Sequence, residues 1–496
     1  MRKLRRILLY SVLVILVVLP FFRTSKPIKA ISDQDIKTIG TNTVVEDVLE
    51  NGNYIKYYKF TVDKTGYINI SFTIPEVNAN VRDGWELTLI ESDGNSEICS
   101  FEIKTDRTLP KLAFKKGMVF YIKVGDKNYD NYNCPYGVKY QLKVNTIEDA
   151  NWEIEYNNST TNATTINSNV TYCGNIMYKN DADFYHYVVD RTGYFNVAFT
   201  IPEVGAYVGY GWDITIYVGD NQISSFSTDS NTTTRPYSFK QGTDIYIKVE
   251  SKYGYTNFTT YNLQVNATTS SVWEQESNDS MADAFPISLG ETYSGTTYYG
   301  GDVDYYKVTT TKKGFMTVEL DPDNLVENLG YGYVLSAYDS ENAKLASYTV
   351  KEKTSMKLYL NAGDYYIRVE NYSTSDNPGG HNIYKLMATL KEAGKPGKAS
   401  IKSAKGTTYR EWFSTYNNIS YKINPVNNAY GYQVQICTSN KFKRKKTTVF
   451  TGSKGTIGKQ LLRRKRYYIR ARAYYETPLG NKTYGNWSGI KSVRIK

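Results

Sequence analysis

The 496-residue chain is too long for one hydrophobic core, and three to four domains are expected. Its formal charge of +11 hides a division: Lys395 to Lys496 holds 23 Lys+Arg against two acids, Glu411 and Glu476, a net of +21, whereas Ile31 to Gly394 is net −17. Four cysteines are too few for a disulfide-stapled scaffold, and the two histidines, His186 and His381, stand in no nucleophile motif, which argues against cysteine catalysis.

In chain order, residues 1–30 read as a secretory signal: a basic head (MRKLRR), an almost wholly apolar run from Ile7 to Phe22, and a small residue, Ala30, at the cleavage point. The apolar run is short for a bilayer crossing of roughly twenty residues, although an uncleaved N-terminal anchor is the alternative. No later segment is apolar enough to cross. The mature form is therefore expected outside the cell, secreted or held at its surface, without a membrane span.

A repeat organises the next 360 or so residues. DKTGYINISFTIPEV from Asp63 returns as DRTGYFNVAFTIPEV from Asp190, GWELTL from Gly84 as GWDITI from Gly211, and TKKGFMTVEL from Thr311 takes the place of the first motif in a third copy. Each copy closes on an alternating strand (VFYIKV, DIYIKV, DYYIRV) and a last one (YQLKVN, YNLQVN, YKLMAT). Modules are expected at 31–147, 148–269 and 270–392. The period of two, the Gly, Asn and Asp turns and the lack of helical periodicity predict an all-β fold of tandem antiparallel β-sandwiches, jelly-roll-like in kind. The glycine before each GY or GF strand is expected to serve a positive-φ turn. Cys99 and Cys134 lie within one repeat and are candidates to pair; Cys173 and Cys437 lie in different modules.

After Gly394, KEAGKPGKASI reads as a linker to a basic domain at 393–496. The segments AYGYQVQICTSNKF, RRKRYYIRARAYY and YGNWSGIKSVRI resemble a fibronectin type III module of bacterial surface proteins, which implies an immunoglobulin-like sandwich. Trp412 is the candidate for the tryptophan that this fold places early in its core. The runs RKKTTVF and LLRRKR suit an anionic polymer better than nucleic acid in a secreted chain.

The chemistry-bearing stretch is WEQESNDSMADAFPIS from Trp273, followed by GDVDYYKV from Gly301. Residues i, i+2 and i+4 of an extended run share a side, so Glu274, Glu276 and Asn278 can gather on one face with Asp279, Asp302 and Asp304 nearby. Five carboxylates so placed repel unless a cation sits among them. Module two repeats the set as Glu153, Glu155, Asn157, Asp181 and Asp183, with Asn158 in place of Asp279; module one lacks the Glu-x-Glu run and puts Lys56 where the second aspartate would be. The pattern E-x-E-x-N-D then G-D-x-D-Y-[YF] resembles the bacterial pre-peptidase C-terminal domain and the related collagen-binding domains of clostridial collagenases. That resemblance implies structural calcium held by these residues in module three. In module two the competing reading, a solvated linker, stands beside it; in module one no metal is expected. It also implies a tyrosine-rich ligand face, for which Tyr365, Tyr366, Tyr372, Tyr253 and Tyr255 are candidates, ordinary sheet tyrosines being the simpler account.

The carboxylates recur at module boundaries, which suits a structural site rather than a glycosidase acid/base pair, and neither a Ser/His/Asp order, a metalloprotease helix nor a phosphate loop is present. The chain is expected to be a monomeric, non-enzymatic binding or adhesion protein with calcium-stiffened linkers. Its expected partners are extracellular polysaccharide, matrix protein or anionic cell-wall polymer, and not nucleic acid. The alternative is an accessory or targeting module of a secreted peptidase or hydrolase system.

Overall fold

The computed structural model describes residues 36–495 apart from 51–54, 77–83, 127–134, 204–207, 299–301, 323–331, 372–381, 413, 444–446 and 459–460. The expected signal at 1–30, Cys134, Tyr372 and His381 lie outside the described residues. Among those described there is no α-helix, only two short 3-10 turns at Thr160–Asn162 and Lys252–Gly254. No helix among them is long and apolar enough to cross a membrane.

The chain is a series of two-sheet sandwiches, and one strand order recurs three times. In the third copy, one sheet runs Phe285–Ile287, Val303–Thr310, Gly363–Asn371, Tyr333–Asp339, Lys344–Val350, and the other runs Thr292–Thr297, Asn382–Glu392, Gly314–Pro322, Thr354–Leu360. Only the short first strand pairs in parallel, Phe285 opposite Tyr306; the rest are antiparallel. Alternation fixes which side chains face inward: in Gly363–Asn371, Tyr365, Ile367 and Val369 join the core while Tyr366 and Arg368 are half-buried on the other face. The last domain sets Ile401–Glu411, Ser414–Ile423 and Lys454–Ile457 against Thr447–Thr451, Gly431–Cys437 and Arg466–Glu476, the immunoglobulin-like arrangement expected.

By internal contacts the described residues form two compact units: those up to 156 with 177–179, and those of 157–176 with those from 180 onward. Residues after the last strand of a sandwich pack back onto it. Within the first unit, Trp152 lies on Tyr67 (ring centroids 4.7 Å), with the Lys111 ammonium over both rings. Within the second, Trp273 lies on Tyr194 at 4.3 Å and Tyr475 on Phe315 at 4.9 Å. Tyr67, Tyr194 and Phe315 each follow the repeated strand glycine. Gly66 and Gly193 have positive φ (146° and 141°), but Gly314 does not. What the three share is close approach: a Cβ would overlap the carbonyl oxygen of Ile147, Thr268 and Lys391 respectively. The expected linker after Gly394 is pinned as well, because the Tyr359 hydroxyl donates to the carbonyls of Ala393 (3.2 Å) and Gly394 (3.3 Å) beside the Phe315–Tyr475 contact.

Trp412 departs from expectation. It sits in the turn between the first two strands of the last domain at φ 54° and is 92% exposed, so that core is built from Ile419, Val434, Ile469 and Ala471 without it.

Candidate metal centre

The segment Val272–Asn278 enters the third sandwich while still attached to the second. On one side, Glu274 N–H donates to Ser294 O (3.0 Å) and Ser294 N–H to Val272 O (2.8 Å), a parallel bridge onto the third sandwich. On the other, Glu276 N–H donates to Ser238 O (3.1 Å) and Lys240 N–H to Glu276 O (3.2 Å), a second bridge onto the second sandwich. The amide of Gln275 reaches Gly193 O at 3.0 Å, on the side opposite its neighbours. Glu274, Glu276 and Asn278 are buried together at this joint, where the Asn278 side-chain amide donates to Glu274 Oε2 at 3.3 Å.

There they meet Asp302 and Asp304. All five are buried, and Asp279 alone is exposed. Carboxylate oxygens of Glu274, Glu276 and Asp304 lie within 4.8 Å of one another, and so do those of Glu276, Asp279 and Asp302. Several oxygens are satisfied: Tyr306 donates to Glu274 Oε2 at 2.6 Å, Tyr384 donates to Asp304, Tyr298 N–H donates to Asp302, and Asn278 N–H donates to Glu276 Oε2 at 3.0 Å. Four are not. Glu276 Oε1, Asn278 Oδ1, Asp302 Oδ1 and Asp304 Oδ1 are buried and accept no hydrogen bond. Leaving such groups unpaired costs roughly 1–3 kcal/mol each, more for charged ones.

Electrostatics point the same way. Burial, then the surrounding negative charge, pushes the carboxyl pKa values up: Asp302 to about 8, Glu276 to about 10 and Asp304 well above the ordinary range. Burial also lifts Glu274, to about 7, against the hydrogen bonds from Tyr306 and the Thr296 N–H. A cluster with this donor set, hard oxygens from carboxylates and an amide, either takes up protons or holds a hard cation. The residues fit calcium, which takes six to eight oxygens.

Sequence reasoning missed the tyrosine pair beneath the site. Tyr306 and Tyr384 hydroxyls lie 2.6 Å apart, and Tyr384 is cross-strand from Gly295, where a Cβ would collide with both hydroxyls. The second sandwich repeats this with Tyr185, Tyr261 and Gly174. The signal was present as the recurring YCG and YSG triplets. In the first sandwich the glycine's place, cross-strand from Tyr140, is taken by Asp47. Its carboxylate accepts from Tyr58 (2.9 Å), pairs with Lys37, and lies 4.0 Å from the Lys56 ammonium. Lys56 is cross-strand from Val124 as Asp304 is from Val369, so a tethered cation and its own aspartate stand where the third sandwich clusters acids.

The module-two residues fall in different units. Glu153 and Glu155 are buried in the first; Asn157, Asp181 and Asp183 are buried in the second. There Asn157 O accepts from Phe184 N–H (2.9 Å), just as Asn278 O accepts from Tyr305 N–H (3.0 Å), and Tyr261 donates to Asp183.

Of the tyrosine candidates, Tyr365 is a core residue whose hydroxyl donates to Asn361 O at 3.1 Å, so its ring is not offered to a ligand, and Tyr366 is half-buried. Tyr253 and Tyr255 are exposed and form a cluster with Tyr210, centroids 5.4 and 5.6 Å away. His186 is a surface residue bonded to Asp244 at 2.8 Å.

No family model matches the chain, and the comparison with curated proteins found no relative. Among solved structures, a pre-peptidase C-terminal domain of a Bacillus anthracis collagenase is 22% identical over 22% of this chain and 93% of that one, with a TM-score of 0.17. The adhesin domain of Epf from Streptococcus pyogenes is 8% identical over 41% of this chain and 77% of that one, TM-score 0.17. The CUB1-EGF-CUB2 domains of rat MASP-1 are 12% identical over 47% of this chain and 100% of that one, TM-score 0.15. At these scores the likenesses carry no argument. The sheets themselves define the class, an all-β chain of tandem two-sheet sandwiches.

Proposed function

We propose that the chain is a non-catalytic binding or adhesion protein of the cell exterior, in which calcium held by Glu274, Glu276, Asn278, Asp279, Asp302 and Asp304 stiffens the joint between the second and third sandwiches. The observation that carries the reading is the set of four buried side-chain oxygens without a hydrogen-bond partner among clustered acids. The segment bearing three of the ligands is hydrogen-bonded to the second sandwich, while Asp302 and Asp304 belong to the third. Neutralising these acids together therefore ties one sandwich to the next. Binding stabilises the folded form by mass action, about 2.7 kcal/mol when calcium is at a hundred times its dissociation constant. The exposed tyrosines of the second sandwich and the net charge of +21 in the last domain support extracellular polysaccharide, matrix protein or anionic wall polymer as the ligand class.

The test is calorimetric titration of the protein with calcium, beside the Asp302→Ala/Asp304→Ala variant. Heat and a raised melting temperature in the parent, both lost in the variant, are expected. Neither heat nor a melting shift at calcium on the order of millimolar would remove the proposal. Arrays of glycans and matrix proteins then identify the ligand.

A further inference from the structure

The hairpin that opens the basic domain outruns its sheet. Ile401–Glu411 pairs with Ser414–Ile423 out to the turn, but the third strand covers only Ile419 to Lys422. None of the described side chains from Thr407 to Asn418 is buried. Tyr409 and Tyr416 stack across the hairpin, centroids 5.3 Å apart and planes within 23°, and Trp412 stands fully out at the tip.

A second element lies beside it. Asn417, one cross-strand pair below the stacked tyrosines, donates from Nδ2 to Leu461 O at 2.8 Å. Leu461 begins the turn LLRRKR, whose backbone is fixed by bonds from Leu462 N–H to the Tyr467 hydroxyl (2.8 Å) and Arg464 N–H to Ile495 O (3.1 Å). So held, Leu462 is 62% exposed, and Arg463, Arg464, Lys465 and Arg466 are exposed around it.

A soluble polyanion needs only the cations. Holding a tryptophan, a leucine and two tyrosines in water beside four positive charges is costly unless the partner has an apolar interior beneath an anionic surface. Tryptophan and tyrosine favour that boundary, and each lysine or arginine adds about 1 kcal/mol of attraction there. We propose that this end of the basic domain docks on an anionic lipid surface, with Trp412 and Leu462 entering the headgroup layer and Arg463 to Arg466 facing lipid phosphates. None of these residues belongs to the carboxylate cluster, so this stands apart from the calcium reading.

The experiment is co-sedimentation of the full chain with phosphatidylglycerol/phosphatidylcholine vesicles, pure phosphatidylcholine vesicles, and dextran sulfate as a soluble polyanion. Binding to the anionic vesicles and not to pure phosphatidylcholine, weakened by salt, is expected, beside an ordinary charge-driven binding of dextran sulfate. Trp412→Ala/Leu462→Ser should lower vesicle affinity by about tenfold or more and leave dextran sulfate binding unchanged, and Trp412→Tyr should restore part of the loss. Arg463→Gln should cost about fivefold on vesicles. Trp412 packs in no core, so its loss leaves the fold intact. Absence of vesicle binding, or vesicle binding indifferent to Trp412 and Leu462 that dextran sulfate abolishes, would overturn the proposal in favour of a polyanion.

Discussion

Asp304 is buried, bonded through one oxygen to Tyr384 and through the other to nothing. Its charge is therefore a cost without a cation and a ligand with one. Asp304→Asn should be neutral or slightly stabilising in EGTA yet abolish most of the stabilisation that calcium gives, a reversal of sign that paired thermal melts would read. The same logic sets the pH dependence. A carboxyl whose folded pKa is raised stabilises the fold in its protonated form, fully so below about pH 4, and that contribution is lost as pH rises through about 7 for Glu274, about 8 for Asp302 and about 10 for Glu276. In EGTA the third sandwich should weaken from pH 5 to pH 8, and the melting gain from calcium should widen over that interval. A gain that shrinks instead would speak against cation binding to the ionised cluster. Gly295→Ala forces a methyl group into the Tyr306 and Tyr384 hydroxyls and should cost about 1–3 kcal/mol, measured by denaturant titration.

At the scale of elements, the doubly bridged segment Val272–Asn278 joins the second sandwich to the third, and the Phe315–Tyr475 contact joins the third to the last domain. Trp273→Ala removes the ring from Tyr194, and we expect faster proteolysis between Thr269 and Asp283 with the sandwiches themselves left folded. A double-mutant cycle on Phe315 and Tyr475 should return about 0.5–1.5 kcal/mol of coupling, visible as cleavage near the pinned Lys391–Lys398 stretch. Strand alternation made the sandwiches legible in the sequence, and the i, i+2, i+4 spacing of Glu274, Glu276 and Asn278 pointed to their gathering. The tyrosine pair under the site was harder to see, since Tyr384 meets Glu274 across 110 positions of chain and only the recurring YCG and YSG triplets mark the glycine that makes room for it. Trp412 misled for the converse reason: the resemblance to a fibronectin type III module implied an early core tryptophan, but the hairpin projects past the sheet that would cover it. Gly314 shares a sequence motif with Gly66 and Gly193 without sharing their φ, because backbone proximity rather than turn geometry selects it.

Across the whole molecule, we propose cation binding for the acidic body and anion binding for the basic tail. The modules are not equivalent within that body. Where the third sandwich gathers buried acids, the first places Lys56 and Lys37 against Asp47, so its neutralising charge is covalently attached. Lys56→Met should loosen the first sandwich equally with and without calcium. Hydrogen exchange on the full chain, resolved by peptide in calcium and in EGTA, tests the central account most directly. Calcium should slow exchange in Val272–Asn278, Val303–Thr310 and Asn382–Glu392, while Ile55–Thr61 and Lys139–Glu148 of the first sandwich exchange at the same rate in both. Exchange in the third sandwich that ignores calcium, or a first sandwich that responds as strongly, would contradict it.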